Sequence, residues 1–112
     1  MSAKIIDEIY DLKTKVAGDI ERFGILGSWK DNTDDFNDID LAIFIKPENE
    51  YRVIDILQNA SLSMPLYIQP IGRKYERSAS RKTSEHYHVM LLNNEDPDEK
   101  FMQYCQGKIT YL

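Results

Sequence analysis

The chain reads as a small α/β (α+β) domain, a mixed sheet of about four to five strands with helices on one face. Three observations carry that reading. Short apolar runs at residues 23–26, 39–45, 66–71 and 86–92 are spaced along the chain. Between and around them lie segments whose apolar residues recur at steps of three and four, the period of a helix. A length of 112 residues supports one hydrophobic core, so residues 1–112 form a single domain.

In chain order, Ser2 caps a helix whose stripe is Ile5, Ile9, Leu12, Val16 and Ile20. Gly18 weakens that helix late in its course, by roughly 1 kcal/mol against Ala if it stays helical. Phe23-Gly24-Ile25-Leu26 is a buried strand that ends at Gly27, and Ser28 starts a brief turn. Residues 31–37 are too rich in Asp and Asn to be other than loop. Residues 39–45 form a strand buried on both faces after its first residues. The connection between these strands is too short for a βαβ crossover, which favours an antiparallel pair. Pro47, Glu48 and Glu50 suit the first turn of a second helix, with Tyr51, Ile54, Leu57 and Ala60 as its stripe. Residues 66–71 form a third strand, held to an edge or bulge by Pro65 and Pro70. A polar connector, residues 72–85, leads to a fourth strand at 86–92. A last helix spans 98–106, and Gly107 stands at its C′ position.

Bulk properties narrow the function. Apolar runs this short do not cross a bilayer, and no signal pattern precedes the first helix, so no membrane is expected. A lone Cys105 cannot form an internal disulfide, which suits a cytoplasmic protein. The net charge of −5 argues against a protein built mainly to coat nucleic acid. That average hides polarity along the chain. Residues 31–40 carry five aspartates and no basic residue, whereas residues 73–82 carry Arg73, Lys74, Arg77, Arg81 and Lys82 against Glu76 alone. One stretch attracts cations and the other anions.

The chemistry concentrates at residues 26–41. Leu26-Gly27-Ser28 is followed, after nine residues, by Asp38-Ile39-Asp40-Leu41. Residues two apart on a strand share a face, so Asp38 and Asp40 present both carboxylates to one side. Carboxylates so placed, together with phosphate oxygens, are how proteins hold Mg²⁺. Gly27 has no Cβ to block a phosphate, and Ser28 offers a hydroxyl and an N–H at a helix start. The plain alternative is a solvated acidic turn.

This pattern resembles the signature of the DNA polymerase β-type nucleotidyltransferase superfamily, and most of all its small stand-alone members, the minimal nucleotidyltransferases. The similarity in element order covers roughly residues 5–71. It implies a nucleotidyltransferase-like fold, Mg²⁺ (or Mn²⁺) on Asp38 and Asp40, and the phosphates of ATP or another NTP on Gly27 and Ser28, with Lys30 close by. The implied activity is transfer of a nucleoside monophosphate, AMP above all, to a hydroxyl of an acceptor. Such proteins resemble the antitoxin half of toxin–antitoxin pairs, whose partner is an all-helical HEPN-type toxin; a homo-oligomer is the other way to supply an acceptor. The family carries a third carboxylate on the strand after the second helix. Here that strand reads Leu66-Tyr67-Ile68-Gln69-Pro70-Ile71, with Gln69 in the corresponding position. A carboxamide oxygen ligates weakly and takes no proton. Three alternatives follow: Glu76 or Glu85 of the connector folds back to complete the site, the site works with two aspartates, or the protein is an inactive nucleotide- or partner-binding module.

The remaining polar residues have ordinary readings beside functional ones. His86 and His88 share a face of the fourth strand and, without a third ligand nearby, read as half-exposed strand residues. On the face of Asp38 and Asp40, one of them can instead orient a phosphate or act as a base. The basic connector clamps triphosphate or a nucleic-acid or protein substrate, or is a solvated loop. Tyr67, Tyr75 and Tyr87 stack a base or simply pack. Cys105 lacks a partner base and belongs in the core.

Overall fold

The computed structural model describes residues 3–26, 38–72 and 86–112. Ser2, Gly27, Ser28, Lys30, Glu85, the side chain of Asp38 and the basic stretch 73–82 with Tyr75 and Glu76 lie outside the described residues. The element order is α1 (Ala3–Val16), β1 (Arg22–Leu26), β2 (Asp38–Ile45), α2 (Glu50–Gln58), β3 (Leu66–Gln69), β4 (His86–Asn93), α3 (Glu99–Cys105) and β5 (Ile109–Tyr111). The strands make one mixed sheet in the order β3-β4-β2-β1-β5. β1 runs antiparallel to β2 and β5, while β2, β4 and β3 are parallel. The short link between the first two strands thus joins an antiparallel pair, as its length requires.

Alternation along the strands sorts side chains between two cores. On one side Ile39, Leu41, Ile43 and Ile45 of β2 join Tyr87, Val89 and Leu91 of β4 beneath α1 and α2. α1 contributes Ile9, Leu12 and Val16, at the expected spacing. It stops at Val16, and Gly18 falls in the 3₁₀ turn Ala17–Asp19 that follows. A glycine there costs the helix nothing. α2 buries Val53 and Leu57, one turn apart, but Tyr51 is 86% exposed. Tyr51 sits about 200° around the helix from Val53. The stripe therefore runs through Val53, and the phenol stays in water.

The other face carries a smaller core. Ala42, Phe44, Met90 and Leu92 pack with Leu26 under Phe101 and Cys105 of α3. Helices on one face thus describes α1 and α2; the seven-residue α3 lies across the opposite side. Asp98 caps it, its carboxylate accepting from the Phe101 N–H at 2.9 Å. Gly107, at φ +76°, follows Gln106 (φ −55°, ψ 118°) in a type II turn closed by the Lys108 N–H on the Cys105 carbonyl, 2.8 Å. That turn returns the chain as β5, whose Ile109 lies over Gly24. A Cβ on Gly24 would stand 2.7 Å from the Ile109 side chain.

β3 is the edge strand that Pro65 and Pro70 require, four residues long, with the Pro65 carbonyl accepting from the Tyr87 N–H at 2.8 Å. β4, eight residues and largely buried, takes the place beside β2. A long apolar strand gains more from a central position than a short one flanked by prolines.

Candidate functional site

Register defines the site. Asp40 on β2 pairs with His88 on β4, and His88 with Tyr67 on β3. One step towards the start of β2, Asp38 pairs with His86. On the other flank Ile25 of β1 stands opposite Leu41, so Leu26, one residue on, ends the strand level with Asp40. Gly27 and Ser28 follow in sequence from that point.

Asp40 and His88 share the face that α3 covers further along. Asp40 Oδ1 lies 3.5 Å from His88 Nδ1, and the side chains are 35% and 26% exposed. Their neighbours on the same face, Ala42 and Met90, are already buried beneath α3. Tyr67, at 56% exposure, sets its ring edge-on to His86, with centroids 5.0 Å apart and planes at 88°. The row therefore passes from an exposed aromatic, through imidazoles, to a carboxylate.

Gln69 does not join it. It pairs with Met90, which pairs with Ala42, so it stands one dipeptide step along the sheet from Asp40. It is also two strand spacings away, about 10 Å, because β4 separates β3 from β2. The residue beside Asp40 is His88. A His-x-His step is visible in the sequence, but its partner strand is not.

Arg22, at the opposite end of β1, is engaged elsewhere: its guanidinium lies 4.1 Å from the Phe44 ring centroid and donates to Tyr111 Oη at 3.3 Å. It holds the β1–β5 edge. Tyr87 points the other way, into the helix-side core, where its hydroxyl donates to Glu8 at 2.8 Å. Glu8 also accepts from the Ser63 N–H and hydroxyl, both at 2.9 Å. Burial, then the Glu8 hydrogen bond, pushes the Tyr87 phenol well above its ordinary range. Tyr87 therefore packs and stacks no base. Cys105 is buried and free. Burial pushes its thiol up to about 11, the Asp40 carboxylate adding to the rise and Lys108 opposing it. A thiol so protonated is a poor nucleophile at neutral pH.

Among the described residues no three His, Cys, Asp or Glu side chains gather round one point. Asp40 and His88 are a pair, with Asp38 two residues before Asp40 on the same strand. That donor set fits an ion held by one or two protein ligands and completed by phosphate oxygens and water. Among the described residues no helix is long and apolar enough to cross a membrane. No family model, curated protein or solved structure matches this chain.

Proposed function

We propose that the protein is a metal-dependent nucleotidyltransferase, and one observation carries the reading. Asp40 stands half-open at the start of a central strand, level with the point where β1 hands over to Gly27-Ser28. Asp38 and Asp40 would hold a divalent ion, Mg²⁺ or Mn²⁺, which would supply charge neutralisation to the triphosphate and acidify the acceptor hydroxyl. Gly27 and Ser28, with Lys30, take the phosphates of ATP or another NTP. The acceptor hydroxyl attacks the α-phosphorus, its bond to the bridging oxygen breaks, pyrophosphate leaves, and the acceptor proton passes to solvent or a nearby base. The chain's contribution is positioning and charge neutralisation. Tyr67, exposed at the end of the row, offers a ring on which a base can stack.

A specific observation favours a second reading. Neither β3 (Leu66–Gln69) nor β4 (His86–Asn93) carries a carboxylate, so the third acid is absent from both strands. On that reading the protein binds nucleotide or a HEPN-type helical partner without turnover. Incubation with Mg²⁺ or Mn²⁺ and α-labelled ATP, with and without cell lysate, separates the two. Label on an acceptor that disappears in Asp38→Ala and Asp40→Ala supports transfer. Binding without transfer supports the module, and no nucleotide binding at all contradicts both.

A further inference from the structure

We infer that Asp40 and His88 form a mixed oxygen–nitrogen site selecting a divalent transition ion of the cobalt–zinc class over magnesium. The inference rests on the metal-dependent reading above and replaces the ion named there.

The spacing is the first argument. A charge-assisted N–H···O⁻ bond is about 2.7–2.9 Å long. His88 Nδ1 and Asp40 Oδ1 are 3.5 Å apart, too long for a good hydrogen bond. Two ligands on a tetrahedral ion with bonds of about 2.0–2.2 Å stand about 3.3–3.6 Å apart. The pair matches an ion's bite better than it matches direct contact.

The support of the two groups is the second argument. They face each other across the central β2–β4 pair. Each is flanked in sequence by residues buried on the helix side, Ile39 and Leu41 about Asp40, Tyr87 and Val89 about His88. Tyr87 is further pinned through Glu8 to α1 and to Ser63. Neither backbone can slip without turning its core side chains outward.

Ligand chemistry is the third. Mg²⁺ demands oxygen donors and dehydrates reluctantly, whereas imidazole suits the later divalent ions. β3 and β4 carry no carboxylate, and the side chain set beside Asp40 is an imidazole. His86 lies two residues away on the same strand, in register with Asp38.

The test uses Co²⁺ as a coloured probe on the full chain, because its visible spectrum reports nitrogen ligation. Wild-type protein is expected to bind Co²⁺ in the presence of excess Mg²⁺ with a spectrum showing a nitrogen ligand. His88→Gln, with its fold checked by melting temperature, is expected to weaken Co²⁺ binding about tenfold or more. His88→Asp, which gives an all-oxygen set, is expected to remove the nitrogen signature from the Co²⁺ spectrum and to shift preference towards Mg²⁺. Co²⁺ affinity and spectrum unchanged in both variants would overturn the inference. Label transfer supported by Mg²⁺ alongside such indifference to His88 sinks only the inference. Co²⁺ binding that depends on His88 without any transfer keeps the metal site and sinks the enzyme.

Discussion

The two faces of the β2–β4 pair differ in cover and in polarity. On the helix face, every residue of both strands from Ile39 to Ile45 and from Tyr87 to Leu91 is apolar or aromatic and at most 3% exposed. The opposite face changes character along its length. Phe44 and Leu92, then Ala42 and Met90, lie under α3, and beyond them come Asp40 and His88, still partly open. Parallel strands in the middle of a sheet usually read as continuous apolar runs because both faces are covered. Here α3, seven residues long, ends the cover, and a carboxylate and an imidazole stand where burial would favour Val or Ile. The helix face supplies the stability that lets the exposed end of the other face hold polar groups in fixed register.

The sharpest way to break that contrast is to truncate neighbours on opposite faces. Leu41→Ala leaves a cavity in a fully buried position and is expected to cost about 2–5 kcal/mol in urea melts. Asp40→Ala, one residue away, is expected to cost less than about 1 kcal/mol, since its side chain is a third exposed. Equal losses would mean that Asp40 is a folding residue. Glu8→Ala removes the acceptor of the buried Tyr87 hydroxyl and is expected to cost about 1–3 kcal/mol. Tyr87→Phe in the same background should recover part of that loss, because it removes the unsatisfied group.

A smaller effect follows from Cys105. Its thiol titrates at about 11 in the folded chain against an ordinary 9.0, so the unfolded chain loses its proton first as pH rises. Stability from this group is intact below pH 9.0 and declines as pH climbs towards about 11. Tyr87, raised as well, steepens the decline at the alkaline end. Cys105→Ala is expected to flatten the lower part of that slope in melts recorded across the alkaline range. An unchanged slope would place the titration elsewhere.

Much of this architecture was legible in the residues. The stripe of α1, the β1–β2 pair and the prolines that bracket β3 all rest on local period and turn chemistry, which a linear sequence displays. What escaped depends on choices between distant partners. Val53 and Tyr51 are both apolar enough to begin a stripe, and only packing against the sheet decides that Val53 faces inward. Gln69 occupied the strand that follows α2 in sequence, yet β4 inserts between β3 and β2 and brings His88 to Asp40 instead. β5 is three residues long and owes its place to the turn at Gly107 and the gap over Gly24. Its sequence, Ile109-Thr110-Tyr111, is too brief to show a period.

The claim at the centre is that the open end of this face is a metal-assisted nucleotide site built on Asp40. A ligand that binds only the folded chain raises its stability, by about 2.7 kcal/mol at a hundredfold excess over Kd. Melting temperature should therefore rise with Mn²⁺ and ATP together in the wild type, and stay flat in Asp40→Ala, while Leu41→Val, destabilised but intact at the site, keeps the rise. A rise of equal size in Asp40→Ala, or none in the wild type, contradicts the account.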